Sequence, residues 1–299
     1  METDYRLWRQ YDDEWNQEEA WPEPQYPYAT SRYMRKSGCF ITSVAIMLRR
    51  YNIEQEKDPQ RFNPLLLVKK MEEAGAYDLF ADMYPEAISR LYPIEYLGTV
   101  PFSYQKLTEW MAKEEPCLVM VPGVSGPYHY VVPDEMDDRG VKICDPGFAN
   151  EYLSEFDTAH YIVLFRKRSF LSNYTVKYFI GSIDGMEERC RELQIPVKDE
   201  YAERDILTKA FDTWGMEMTN HIPGNYVVVF RNTVQKKLFL CKSGEEETEL
   251  YYYLCSNGKL LYGSEAYITS NEAYCAETDH SAIKRLTAGQ CLEYTENPE

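Results

Sequence analysis

Several features are missing from this sequence, and each absence narrows the possible functions. No apolar run approaches the roughly 20 residues of a membrane-spanning helix, and the first ten residues carry charges where a secretory signal peptide is apolar. Basic side chains are fewer than acidic ones, 32 against 49, so the formal net charge is −17. This charge argues against duplex nucleic acid and against an anionic membrane surface as partners.

The cysteine motifs of zinc sites are missing as well. The eight cysteines are scattered and include no CxxC pair, which argues against a structural zinc site. Nothing in the sequence implies a metal or an organic cofactor. A reduced, cytoplasmic chain is the simplest account of these cysteines, and the sequence leaves the oligomeric state open.

The order of periodic segments predicts two α+β domains. The length of 299 residues suffices for two cores, and helical segments precede strand segments twice along the chain. In the first block we expect helices at 39–51, 63–74, 84–91 and 104–114, then strands at 117–121, 128–133, 141–144 and 161–165. In the second we expect a strand at 174–180, helices near 184–193 and 203–214, and strands at 225–230, 236–241, 249–254 and 259–263. A break at 167–169 divides the chain into domains 1–170 and 171–299.

Cys39 is the candidate nucleophile. It follows Ser37-Gly38 and opens a long apolar run with two arginines at its end, which predicts a buried helix that begins at the cysteine. The unpaired N–H groups and the dipole at a helix N-terminus favour a thiolate. The seven other cysteines occur in strand-like or unremarkable contexts and are interpreted as structural: Cys117, Cys144, Cys190, Cys241, Cys255, Cys275 and Cys291.

His129 and Asp145 are the candidate partners of this thiol. His129 opens an apolar strand, and Asp145 follows the next strand in an Asp-Pro-Gly sequence. The turn at 137–140 predicts a hairpin that brings the two side chains close together, so that Asp145 would orient the imidazole. His160 precedes a similar Tyr-apolar run and is an alternative base, but no Asp-Pro follows it at hairpin distance.

Gln10 completes a recognisable order. Its amide is a candidate oxyanion donor beside the backbone N–H of Cys39, and Trp15 follows five residues later. Gln-(x4)-Trp, Ser-Gly-Cys opening an apolar helix, a His and then Asp-Pro-Gly resemble the papain-like double-glycine leader peptidases of bacteriocin exporters. The resemblance covers about 160 residues. It implies a papain-like fold in which Gln10, Cys39, His129 and Asp145 are the catalytic residues.

The second half resembles another family. Its anchors are the segments 179–185, 205–215, 222–230, 237–240, 250–253, 260–265 and 283–289. In order and spacing they are similar to the later part of the glutaminase domain of asparagine synthetase, which implies an αββα N-terminal-nucleophile-hydrolase-like fold. That family's nucleophile is a cysteine at a free N-terminus, and this half begins after an internal linker. We therefore expect a catalytically inactive recognition or scaffolding domain.

The sequence leaves three functions open. The first is a cysteine peptidase that cleaves a peptide or protein substrate, in a setting such as peptide maturation. The second is an acyl- or amide-transferase with the same Cys-His-Asp triad, because the sequence does not identify the acceptor of the acyl group. The third is a non-catalytic binding protein with two degenerate enzyme domains.

Overall fold

The computed structural model describes residues 4–23, 25–123, 127–148, 150–196, 201–244, 248–270 and 282–296. The chain forms two compact units, Met1–Leu171 and Ser172–Glu299, and each is described by itself. Both contain helices and antiparallel strands, so the mixed α+β class is confirmed. Within the described ranges, no helix is long and apolar enough to cross a membrane.

The described residues of the first unit form four α-helices. They are α1 (Met34–Ser37), α2 (Cys39–Arg50), α3 (Pro64–Glu73) and α4 (Tyr104–Ala112), with 3-10 turns at Tyr5–Leu7, Pro85–Arg90 and Leu153–Glu155. Capping fixes where two of them begin: the Asn63 side chain accepts from the N–H of Leu66, and the Ser103 side chain accepts from that of Lys106. The middle of α2 is wholly buried, as the apolar run in the sequence predicts.

Five antiparallel strands form the sheet of the first unit. They are β1 (Ile94–Pro101), β2 (Cys117–Pro122), β3 (Tyr128–Asp137), β4 (Gly140–Cys144) and β5 (Tyr161–Lys167). Their order across the sheet is β1-β5-β2-β3-β4. One buried cluster joins residues of this sheet to α2 and α3. A second cluster joins alternate residues of the strands to Leu107 and Trp110 of α4. The sheet therefore lies between helices.

Three contacts fix α2 on β3. The Phe40 ring packs against the Tyr130 ring with centroids 4.8 Å apart, and the Ser43 hydroxyl donates to the Tyr130 carbonyl at 2.8 Å. At the other end of the helix, Arg50 forms an ion pair with the buried Asp134 at 2.6 Å. The helix that begins at Cys39 is thus held along the strand that begins beside His129.

The described residues of the second unit form two sheets. The four-stranded sheet is ordered β12-β8-β7-β6 and the three-stranded sheet β10-β9-β11. The strands are β6 (Thr175–Ile183), β7 (Gly224–Asn232), β8 (Lys237–Ser243), β9 (Tyr251–Leu254), β10 (Leu260–Gly263), β11 (Lys284–Arg285) and β12 (Cys291–Thr295). The helices are α5 (Met186–Glu192), α6 (Ala202–Trp214) and α7 (Glu265–Ser270), with a 3-10 turn at Gly215–Asn220.

Successive side chains of β7 point to opposite faces of the four-stranded sheet. Val227 and Val229 join a cluster with residues of the smaller sheet, whereas Phe230 on the opposite face stacks on Phe211 of α6 at 4.4 Å. Ile268 of α7 packs against the smaller sheet. The layers therefore run helix, four-stranded sheet, three-stranded sheet, helix.

A disulfide bond joins Cys241 of β8 to Cys291 of β12. The two residues are directly opposite in the antiparallel register. The expectation of a fully reduced chain is wrong for this pair, because a spacing of 50 residues gives no sign that the two strands are neighbours. Cys39, Cys117, Cys144 and Cys190 are free thiols, and Cys275 lies outside the described residues.

Candidate active site

The geometry of the β3–β4 hairpin brings His129 and Asp145 together. Val132 is opposite Cys144, so the same register continued places 131 opposite 145 and 129 opposite 147. His129 and Asp145 are then diagonal neighbours whose side chains point to the same face. The His129 Nε2 and the Asp145 Oδ1 are 2.7 Å apart, and both residues are buried.

The loop that follows β4 fixes the Asp145 carboxylate. Its Oδ1 also accepts hydrogen bonds from the backbone N–H groups of Gly147 at 2.8 Å and Phe148 at 2.9 Å. Such side-chain turns are favoured by aspartate, and the intervening Pro146 has no N–H of its own. These two backbone hydrogen bonds hold the carboxylate in position beside the imidazole.

Gly147 lies directly against the His129 ring. A Cβ atom at this position would be 2.4 Å from Cε1, 2.9 Å from Nε2 and 3.1 Å from Nδ1. The Phe148 ring meets the imidazole from another side, edge to face, with centroids 5.0 Å apart. Gly147 is a positioning residue that we did not single out from the sequence, although the continued register places it opposite His129.

Cys39 is the first residue of α2 and is partly exposed. The glycine before it is required by close packing: a Cβ at Gly38 would be 2.4 Å from the Met34 carbonyl oxygen. His129 uses Nε2 for Asp145, and Cys39 is near enough to the ring to raise its pKa. The imidazole thus interacts with both the carboxylate and the thiol.

The electrostatics of these three residues favour a protonated imidazole. Burial by itself lowers the pKa of His129, but hydrogen bonds and charge interactions with Asp145 and Cys39 outweigh it and raise the pKa to about 9. At neutral pH the ring is therefore an imidazolium. A cation next to a cysteine favours its thiolate form.

Gln10 is close to this assembly, but its side chain makes no hydrogen bond to the triad among the described residues. Its backbone N–H donates to the Pro146 carbonyl at 2.9 Å, and its side-chain amide donates to the Arg35 carbonyl at 2.7 Å. An amide nitrogen carries two hydrogens, so one N–H remains for a second acceptor. The role of Gln10 as an oxyanion donor remains a prediction.

His160, the alternative base, is placed elsewhere. It is exposed just before β5, and its ring meets that of Tyr128 at 6.1 Å. Among the described residues, the His160 ring makes no hydrogen bond to a carboxylate, whereas the His129 ring makes one. The structure therefore brings together His129, Asp145 and Cys39 and leaves His160 outside this group.

Cys39 also lines a cavity of about 440 Å³ in the first unit. Its wall includes Phe40 and Tyr130, which hold α2 against β3, and residues of the loop around Phe80. A partly exposed nucleophile beside a cavity of this size is accessible to a substrate.

Comparisons with known proteins add no relative: no protein-family model matches the chain, and no curated protein matches it either.

Proposed function

We propose that the first unit is a cysteine peptidase with Cys39 as nucleophile and His129 as its acid–base partner. The observation that carries the proposal is the His129–Asp145 hydrogen bond beside Cys39, which is the first residue of α2, lines a cavity and interacts with the imidazole. Each member supplies what thiol catalysis requires: a nucleophile, a base, and a group that orients the base. The papain-like resemblance of residues 1–170 agrees with this role.

The chemistry follows from the atoms. The Cys39 thiolate attacks a peptide carbonyl carbon, and the backbone N–H of Cys39 with the free N–H of Gln10 would bind the oxyanion. The imidazolium of His129 then donates its proton to the leaving amine, which breaks the C–N bond and leaves a thioester. Water, deprotonated by the neutral imidazole, then attacks the thioester carbonyl; the C–S bond breaks, the acid is released, and the Cys39 thiolate and the imidazolium are regenerated.

We further propose that the second unit is a recognition or scaffolding domain of the N-terminal-nucleophile-hydrolase type. Its helix–sheet–sheet–helix layers agree with the resemblance to the glutaminase domain. That chemistry requires a nucleophile with a free α-amine, and the first strand, β6, starts at Thr175 within a continuous chain. A shared scaffold without those groups does not carry the same reaction.

The cytoplasmic location belongs to the proposal as well. A catalytic thiol works in a reducing compartment, but disulfides such as Cys241–Cys291 are rare there. Differential alkylation of Cys241 and Cys291 in intact cells tests the location: free thiols support the cytoplasm, and a persistent disulfide contradicts it.

The test of the peptidase is the rate of Cys39 alkylation between pH 5 and 9, read by peptide mass spectrometry. We expect reaction well below the pKa of a free cysteine, about 8.5, and slower reaction in His129→Ala. Cys117 and Cys144 are internal controls, because burial raises the pKa of each to about 12. His160→Ala is the matched control and should react like the wild type.

Equal low-pH rates in His129→Ala and the wild type would exclude an activated pair. Peptide turnover is a second, independent test: Cys39→Ala should keep the fold and lose all cleavage.

A further inference from the structure

The cavity beside Cys39 has an unusual composition. Its wall contains five aromatic side chains, namely Trp21, Phe40, Tyr77, Phe80 and Tyr130. Asp82 is its single carboxylate, and none of the described residues that line it is a lysine or an arginine. An aromatic wall with one negative charge attracts cations, since the face of each ring is the negative side of its quadrupole.

The phenols in this wall keep their protons and so add no charge of their own. Burial, followed by the proximity of Cys39, raises the pKa of Tyr130 to about 12, and burial also raises the pKa of Tyr77. At neutral pH the rings are therefore neutral. The net charge of the wall comes from Asp82 and from Cys39 when it is a thiolate.

Asp82 lies in a loop that is stabilised by hydrogen bonds within residues 78–82. The Asp78 carboxylate accepts hydrogen bonds from the N–H groups of Phe80 at 2.8 Å and Asp82 at 2.9 Å. The backbone N–H of Asp78 donates in return to the Asp82 carbonyl at 3.1 Å. The exposed Phe80 ring packs on the exposed Tyr28 ring at 5.3 Å. The loop thus has a defined position at the cavity.

The Asp82 carboxylate has no cation of its own. It makes no hydrogen bond or ion pair with another side chain in the part of the chain that the structure describes. Partial burial of the carboxyl and the neighbouring Asp78 both raise its pKa. A carboxylate in this environment is stabilised by an incoming positive charge.

We propose that this cavity binds the cationic side chain, lysine or arginine, of a peptide substrate next to the bond that Cys39 cleaves. The alkyl or guanidinium part of such a side chain lies against the aromatic wall, and its charge is neutralised by Asp82. This inference rests on the proposed function and deepens it, because it names Asp82 as the residue that determines specificity.

The experiment compares three methanethiosulfonates of similar size at Cys39. One carries a trimethylammonium group, one a sulfonate, and one is neutral. In each reaction the Cys39 thiolate displaces a sulfinate and forms a mixed disulfide, which is followed by mass spectrometry. Reagent charge is thereby tested at the nucleophile without any need for peptide turnover.

The variant is Asp82→Asn, which keeps the shape of the side chain and removes its charge. Asp138→Asn is the matched control: it changes the net charge equally, but it lies in the exposed β3–β4 turn, nine residues from His129 along the strand. That spacing corresponds to about 30 Å, well beyond the Debye length of about 8 Å at physiological ionic strength. Turn positions also tolerate asparagine.

We expect the ratio of cationic to neutral rates to fall about fivefold in Asp82→Asn and to remain unchanged in Asp138→Asn. A factor of about five corresponds to unit charges about 7 Å apart at an effective dielectric constant of about 50. An unchanged ratio in Asp82→Asn, or an equal fall in both variants, overturns the assignment of the cavity.

A positional library of fluorogenic peptide amides then separates this inference from the proposed function. Cleavage that prefers lysine or arginine, and loses that preference in Asp82→Asn, supports both. Cleavage that prefers apolar or acidic residues supports the peptidase and overturns the cation site. Absence of cleavage, together with a charge-selective Cys39 that depends on Asp82, overturns the peptidase and supports the cation site.

Discussion

Replacement of Gly147 by alanine is the most direct test of the active-site geometry. The new Cβ would lie 2.4 Å from Cε1 of His129, whereas carbon atoms in contact are about 3.5 Å apart. The imidazole must therefore move by about 1 Å. Because a shift of that size at a reacting group slows catalysis about 100-fold, we expect Gly147→Ala to cleave peptides about 100-fold more slowly. Overpacking the filled site should also lower the unfolding free energy by about 1–3 kcal/mol.

A double-mutant cycle isolates the contact. In a His129→Ala background the ring is absent and the methyl group of Gly147→Ala occupies vacated space, so the same substitution should cost little or increase stability. The assay is urea denaturation followed by tryptophan fluorescence, because four of the five tryptophans, Trp8, Trp15, Trp21 and Trp110, belong to the first unit. An equal loss of stability in both backgrounds would refute the reasoning, since the cost would then not come from the imidazole.

Two further predictions concern charge and cross-linking. In the wild type, peptide cleavage should decline as pH rises through about 9, because the leaving amine takes its proton from the imidazolium. In Asp145→Asn this decline should shift to lower pH, because the carboxylate raises the pKa of His129. The stability contributed by the His129–Asp145 pair is complete below about pH 6.5 and is lost towards pH 9. A pH profile that does not shift in Asp145→Asn would contradict the pairing. Replacing Cys241 and Cys291 by serine opens a loop of 50 residues and should lower the unfolding free energy of the second unit by about 4 kcal/mol. Hydrogen exchange in β8 and β12 should accelerate, while Cys39 alkylation stays unchanged; slow exchange in the variant would show that the bond contributes little.

Sequence patterns located the helix and the hairpin that carry the site. Helix α2 was expected at 39–51 and is Cys39–Arg50, because an apolar run with a glycine before it and arginines at its end leaves little choice of boundaries. The β3–β4 hairpin was expected from the turn at 137–140, and the structure pairs Asp137 with Gly140. In both cases the determining signals lie within the segment itself.

Features that depend on distant neighbours were missed. Strand β1 has a bulge between Tyr96 and Gly98 and ends in Pro101, so its sequence lacks the regular alternation of a strand even though β5 pairs with it. The two-residue β11 and the five-residue β12 are defined by their partners. The expected helix at 84–91 forms only as the 3-10 turn Pro85–Arg90. Local periodicity gives no information on such pairings.

The side-chain details of the site were only partly accessible. The Asp-Pro-Gly sequence indicated a partner for His129, but the steric role of Gly147 required the register of the hairpin. The bond from Gln10 to the Arg35 carbonyl was not expected, because nothing in the sequence shows that α1 approaches the N-terminal segment. Asp82 is one acidic residue among 49 Asp and Glu residues, and its position at the cavity appears only after folding.

The hydrogen bonds of Gln10 have a consequence for the synthesis of the protein. Its backbone bond to Pro146 joins positions 136 residues apart, and Cys39 and His129 are separated by 90 residues. Contacts of such long range form late, after the loops between them have closed. Until residues up to Val163 have been translated and docked, Cys39 lacks the complete wall of its cavity. The nascent chain therefore carries an ordinary thiol, and the reactive form arises only once the first unit has folded as a whole.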